Sequence, residues 1–420
     1  MSSQTCRIYI SAKHLYLPLI TIGLLIFLAY LPVFYFHLHT DVTNFFTQST
    51  QFLSTGTWQD MIYQEYQPAS LWFILLPHIF SPNATEAHYI ASFVFVNAII
   101  LLIYFLIIAR LLPHSSTLIS TLLLIATGPI LLFRLEPLVG LLILLAWFSH
   151  LKTRHILAGI FVGLAIFTKL YAVILWPLMA AHYLIFLRQR DLFIQFVTAT
   201  LIGIAIPLLP FLMLGNPLSD VYATITNFQN KPIGMDSMWG NLIIIKYQLL
   251  YKRSPPIDNS LGINGFPATT TNAPLSFFNH AWVIPTGSLL FALLWRYRHV
   301  GYADPLLPLL VLLVFLLFSK IINPQYLWWF ASLLPLLTLS KQNKQAMAAI
   351  VGVTLVSLIL TQLYYPIFYN QVLAWTNHQA AGSLPVSLSI LRNGCLFLVL
   401  FLLSGMSYKF RLTKTPHPDQ

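Results

Sequence analysis

The chain has 420 residues, 58% of them hydrophobic and only 8% charged, with a formal net charge of +11. At a mean hydropathy of +0.76 the bilayer is its solvent, which excludes a soluble globular domain. Nucleic acid is not indicated as a partner, because the bases are scattered in ones and twos between apolar runs, in the manner of the positive-inside rule.

The first apolar run, 15–36, follows Arg7 and Lys13. It is too long for a signal-peptide core and no small-x-small cleavage site follows, so it reads as a retained span. It ends in His37-Leu38-His39-Thr40-Asp41. An Asp where a helix emerges suits a general base or, beside the histidines, a metal ligand. It equally suits a cap on the next helix. The spacing of Val42, Phe45, Phe46, Phe52 and Leu53 predicts a surface helix over 42–53. Pro68–Phe80 is apolar but too short to span. Ahead of it, Tyr63-Gln64-Glu65-Tyr66-Gln67 reads either as an interfacial aromatic belt or as a loop that meets a sugar or headgroup.

Further spans are expected at 88–110, 116–133, 136–150, 156–168, 170–187 and 193–214. After a polar connection over 215–280, with a helix at Met238–Tyr251, they resume at 281–295, 304–319, 325–340, 345–364 and 386–406. The expected architecture is an all-α polytopic bundle of about 11 to 13 transmembrane helices. It is one integral membrane domain over 1–420, with large outer loops at 37–87 and 215–280. With the N-terminus inside, Lys13, Arg110, Lys152, Arg188, Arg296, Lys344 and most other bases fall on the cytoplasmic side. Most acids, among them Asp41, Glu65, Glu136 and Asp236, fall outside, where the long loops place recognition.

Asp41, Asp60, Glu65, Arg134, Glu136, Lys169, Asp236, Lys320 and Arg392 thus gather at or just inside the outer face. Holding a charge near hydrocarbon costs about 2.5–3.5 kcal/mol, so several at one depth imply a polar reaction chamber. Arg134 and Glu136, at an outer turn, either pair with each other or serve the site. Lys169, in Phe167-Thr168-Lys169-Leu170-Tyr171, sits between short helices where its ammonium must snorkel or meet a phosphate. Lys320 precedes Asn323-Pro324-Gln325-Tyr326 and an aromatic belt, and Arg392 lies inside the last span, where it needs an acid or a phosphate. Four bases near one face suit a lipid-phosphate leaving group. Cys6 and Cys395 lie in the first and last segments and imply neither a disulfide nor a thiolate metal site. No dinucleotide, Walker, zincin or nucleophile-elbow motif occurs, which argues against a nucleotide-driven transporter or an ordinary hydrolase.

At these residues the chain resembles the GT-C superfamily of multi-spanning glycosyltransferases that use polyprenyl-phosphate sugars. Thr40-Asp41, Phe45-Phe46 and Tyr66-Gln67-Pro68 are similar to the first outer loop of polyprenol-phosphate-mannose-dependent mannosyltransferases and of the GPI mannosyltransferase I family. Phe133-Arg134-Leu135-Glu136, with Ala158-Gly159 through Lys169-Leu170-Tyr171, resembles a later stretch of these enzymes. So do Ser237-Met238-Trp239 and Asn323-Pro324-Gln325-Tyr326 with Trp328-Trp329. The chain departs from the pattern at Ala172, Asn323 and Asp236, and it carries a single acid, Asp41, where the family has a pair.

The resemblance implies transfer of a sugar, mannose foremost, from a polyprenyl-phosphate carrier to a lipid or glycan acceptor, with inversion. Asp41 would be the general base. Lys169, Arg134, Lys320 and Arg392 would hold the departing phosphate. Tyr66, Glu65, Glu136, Tyr171, Gln325 and Tyr326 would line the sugar or acceptor pocket. No cofactor is fixed by it, and the single acid leaves a divalent metal open. Low cysteine content and the lack of evident tails lean toward a bacterial inner membrane, with the site facing the periplasm. The alternative is a transporter or flippase for a lipid-linked or anionic solute, with the same charges lining its path. The scarcity of acids on the inner side favours the enzyme.

Overall fold

Proline and glycine decide where the apolar runs break. The computed structural model describes residues 13–56, 66–80, 85–251, 254–257, 265–267, 275–298, 302, 304–339, 344–376 and 384–409. The chain opens with α1 (Lys13–Ala29), turns sharply, and resumes as α2 (Pro32–Leu38). The two meet at 80°, with Pro32 opening the second piece. Then come α3 (Thr40–Thr55), α4 (Pro68–Phe80), α5 (Glu86–Leu111) and α6 (His114–Thr127). Gly128, at φ 72°, ends α6, and a 3-10 turn over Pro129–Phe133 leads to α7 (Glu136–Leu151) and α8 (His155–Thr168). Lys169 is extended between α8 and a second 3-10 turn, Leu170–Leu175, which runs into α9 (Trp176–Ala181).

The second half contains α10 (Arg190–Met213), α11 (Leu218–Asn230), α12 (Met238–Lys246), α13 (Leu275–His280), α14 (Val283–Tyr297) and α15 (Leu306–Phe318). A broken stretch follows, Pro324–Tyr326, α16 (Leu327–Ala331) and Leu334–Leu339, and then α17 (Lys344–Gln362), α18 (Tyr369–Thr376) and α19 (Leu384–Lys409). Among the described residues the strands amount to one short antiparallel pair, Ile233–Gly234 with Gly265–Phe266.

The chain is all-α, and five segments are long and apolar enough to cross a membrane: Glu86–Leu111, Arg190–Met213, Phe277–Tyr297, Lys344–Ile367 and Val386–Met406. The bent pair α1–α2 makes a sixth if it is one span. The other expected spans are helical but short or interrupted. The run 116–133 divides at Gly128-Pro129, and 325–340 becomes two 3-10 turns around α16. The surface helix forms as α3 with Val42, Phe45, Ser49 and Phe52 buried, but Leu53, expected on that face, is exposed.

Helices α8 and α10 approach each other backbone to backbone. A Cβ on Gly159 would lie 2.5 Å from the Phe196 carbonyl oxygen, and one on Gly163 or Gly203 would strike the main chain of Thr200 or Ile160. Gly159-x-x-x-Gly163 is the small-residue spacing that lets apolar helices touch backbone to backbone where no hydrophobic force separates protein from lipid.

Candidate functional site

Asp41 stands in the first turn of α3, where the helix dipole favours a negative charge. It does not cap the helix: His39 holds that position, and Thr40 Oγ1 donates back to the His37 carbonyl oxygen at 3.1 Å. The Asp41 carboxylate is 39% exposed, and its Oδ2 lies 3.2 Å from Arg134 Nε.

Arg134 is buried, which requires an explanation in partners. Its Nη1 donates to the carbonyl oxygens of Leu38 and Phe133, both at 3.0 Å, and Nη2 lies 3.5 Å from the Tyr365 hydroxyl. Tyr365 Oη in turn donates to the His37 carbonyl oxygen at 2.7 Å. One end of the guanidinium is therefore fixed on main chain, and its Nε side faces Asp41. Burial works against the charge, but Asp41 foremost, then Tyr365, Tyr66 and Glu136, more than restore it, so the group lies above its ordinary value. Backbone geometry sets this up. A Cβ at Gly128 would meet the Gln362 side chain at 2.5 Å, so the turn after α6 needs glycine both for φ and for space.

Glu136 opens α7 and is 1% exposed, with Oε1 3.2 Å from Lys169 Nζ. Arg134 and Glu136 thus do not pair with each other. Lys169 Nζ also lies over the rings of Tyr66, at 5.6 Å, and Tyr326, at 5.2 Å. Behind Tyr326 the rings continue as a stack. Tyr326 and Trp329 are 4.1 Å apart between centroids, and Trp329 and Tyr171 are 3.3 Å apart and nearly parallel. Asn323 Nδ2 donates to Tyr326 Oη at 3.2 Å. Gln325 is buried on the same turn. The structure therefore brings together Asp41, Arg134, Glu136, Lys169, Tyr66 and Tyr326.

Lys320 and Arg392 have different partners. Lys320 Nζ, with no exposed surface, donates to the carbonyl oxygens of Gln229 (3.0 Å) and Lys231 (2.7 Å) and to Asn279 Oδ1 (2.6 Å). Burial, and then the charge of Lys231, draw it down to about 7. Arg392 is completely buried in α19. It donates to the Asp236 carbonyl oxygen through Nη2, and its Nη1 lies 3.8 Å from Asp236 Oδ2. Asn393 Nδ2 donates to the same carbonyl at 3.1 Å and to Asn241 Oδ1 at 2.6 Å. Ser237 caps α12 by accepting from Gly240 N, and Trp239 Nε1 donates to the Phe318 carbonyl oxygen at 2.9 Å. These two cations tie the connection after α11 to the bundle.

Among the described residues no three His, Cys, Asp or Glu side chains are grouped to hold a metal ion. Asp60 and Glu65 lie outside the described residues. Tyr365, which the sequence reading missed, belongs to the Asp41 group. The signal was available in Tyr364-Tyr365-Pro366 at the end of an apolar run. No family model and no curated protein matches the sequence.

Proposed function

We propose that the chain is an integral membrane glycosyltransferase of GT-C-like architecture, with about 11 to 13 spans when the short helices are counted. It moves a sugar, mannose foremost, from a polyprenyl-phosphate carrier to a lipid or glycan acceptor on the face where Asp41 opens, the periplasmic face in a bacterium. The observation that carries this reading is the part-exposed Asp41 carboxylate beside the buried, anchored Arg134, with a second cation, Lys169, among the same aromatic rings.

The chemistry follows from these groups. Asp41 accepts the proton of an acceptor hydroxyl as its oxygen attacks the anomeric carbon from the side opposite the phosphate. The bond from that carbon to the phosphate oxygen breaks, its electron pair goes to the phosphate, and the sugar's configuration inverts. The phosphodiester, singly charged, leaves as a polyprenyl phosphate carrying a second charge. Arg134 and Lys169 meet that developing charge in a site largely screened from water, where fixed cations act most strongly. Tyr66, Gln325 and Tyr326 supply apolar faces and an amide for the sugar.

The test is transfer by the purified protein, using radiolabelled polyprenyl-phosphate-mannose and crude acceptor membranes. Transfer by the wild type and none by Asp41→Asn supports the reading. Label that crosses sealed vesicles without being transferred would replace the enzyme with a carrier.

A further inference from the structure

Both cations that the proposed reaction needs for phosphate are already engaged by carboxylates. Neither contact is closed. Arg134 Nε and Glu136 Oε1 are buried and make no hydrogen bond, although each lies 3.2 Å from its ion partner. Charged groups with aligned hydrogen bonds are held about twice as strongly as neutral ones, so these two pairs lack the component that would lock them.

The two partners of the Arg134 pair differ. Arg134 cannot move freely, because Nη1 is bound to the main chain of Leu38 and Phe133. Asp41 is the exposed member and can turn to solvent. The side of Arg134 that faces Asp41 carries Nε and Nη2, the fork that takes two oxygens of a phosphate at once. Arg134 and Lys169 also share neighbours: Glu136 and Tyr66 act on both. The two cations therefore border the same carboxylate and the same ring.

We infer that Asp41 and Glu136 hold the place of a lipid-borne phosphodiester, which on arrival takes the Nε–Nη2 side of Arg134 and the Lys169 ammonium and releases Asp41 to accept a proton. The inference rests on the reading of this chamber as a phosphodiester site. Its consequence is order. The base stays masked until the donor phosphate is in place, so donor binds before acceptor and water is not activated in the empty site.

The test uses the full-length protein in detergent and farnesyl methyl phosphate, a phosphodiester with an isoprenoid tail and no sugar. Its affinity is measured by calorimetry. Because Asp41 competes with the probe for Arg134, Asp41→Asn binds it tighter, by about two- to fivefold, the range expected for a part-exposed ion pair. In an Arg134→Gln background the same change has no effect on affinity, as a double-mutant cycle requires. Glu86→Gln removes another acid, one that accepts from Thr43 Oγ1 at 2.6 Å, and leaves affinity unchanged. Dimethyl phosphate, without a tail, binds more weakly.

Unchanged or weaker binding by Asp41→Asn overturns the inference. So does equal tightening by Glu86→Gln, which would reveal only a general field, or equal binding of dimethyl phosphate. Failure of the wild type to bind the probe also overturns it. If Arg134→Gln does not fold, carboxyl footprinting of the wild type replaces the cycle. The bound probe then raises labelling of Asp41, and unchanged or reduced labelling counts against exchange. Sugar transfer separates the two claims: a protein that shows the exchange but transfers nothing sinks the transferase reading alone, and transfer without the exchange sinks the exchange alone.

Discussion

Arg134 and Glu136, two positions apart where the chain enters α7, pair away from each other, the first with Asp41 and the second with Lys169, both at 3.2 Å. The short 3-10 turn before them and the extended Arg134 backbone send the two side chains to different segments. The proposed base, Asp41, therefore shares a pair with one proposed phosphate holder, Arg134, while the other, Lys169, pairs with Glu136.

Asp41→Asn keeps the shape of the side chain and removes the base. Transfer should fall by about 10²- to 10⁴-fold, the usual contribution of a positioned general base. The melting temperature should stay close to that of the wild type, since the carboxylate is part-exposed and its pair makes no aligned hydrogen bond. Initial rates beside thermal unfolding in detergent decide this, and a fully active variant would discard Asp41.

Lys169 Nζ lies over the rings of Tyr66 and Tyr326, at 5.6 and 5.2 Å. Tyr326→Ala should raise the donor KM by about 2- to 30-fold, matching the 0.5–2 kcal/mol of a cation–π contact. Tyr326→Phe should stay near wild type despite losing the Asn323 bond. Equal loss in both variants would assign the effect to the hydroxyl.

Gly163 tests the close seam of α8 and α10. Gly163→Ala puts a Cβ into the Thr200 main chain and should cost about 1–3 kcal/mol, as overpacking does. Gly23→Ala, on α1 with nothing within 4 Å, should be neutral or slightly stabilising in the same thermal unfolding assay.

Asp236 supplies a pH dependence. Burial, opposed by Arg392, pushes its carboxyl up to about 6 from an ordinary 3.8. Between those values the folded chain binds more protons than the unfolded one, so this group makes stability fall as pH rises from about 4 to about 6. Asp236→Asn removes that part of the slope and keeps the backbone carbonyl that Arg392 and Asn393 hold. Melting temperatures from pH 4 to 7, wild type beside variant, give the comparison. Identical slopes would place the proton elsewhere.

The helical character was legible in the apolar runs, and Asp41, Arg134, Glu136 and Lys169 stand out there because a charge in an apolar run is costly. The α3 helix was legible from its apolar spacing. The breaks were not, because Gly128-Pro129 and Pro335 lie inside runs whose hydropathy hardly dips, and a 3-10 turn has no period of its own. Pairing was not legible either. Nothing local distinguishes Arg134, which meets Asp41, from Arg392, which meets Asp236, since both depend on contacts far apart in the chain.

The 80° corner between α1 and α2 changes what the first helix can do to the chamber. A piston-like displacement of α1 along its own axis would arrive at α2 as a sideways push. Yet the far end of α2 is moored twice, by Arg134 on the Leu38 carbonyl and by Tyr365 on that of His37. Bent through 80° at one end and moored at the other, α2 ties Asp41 to the segments that carry Arg134 and Tyr365, off the line of α1.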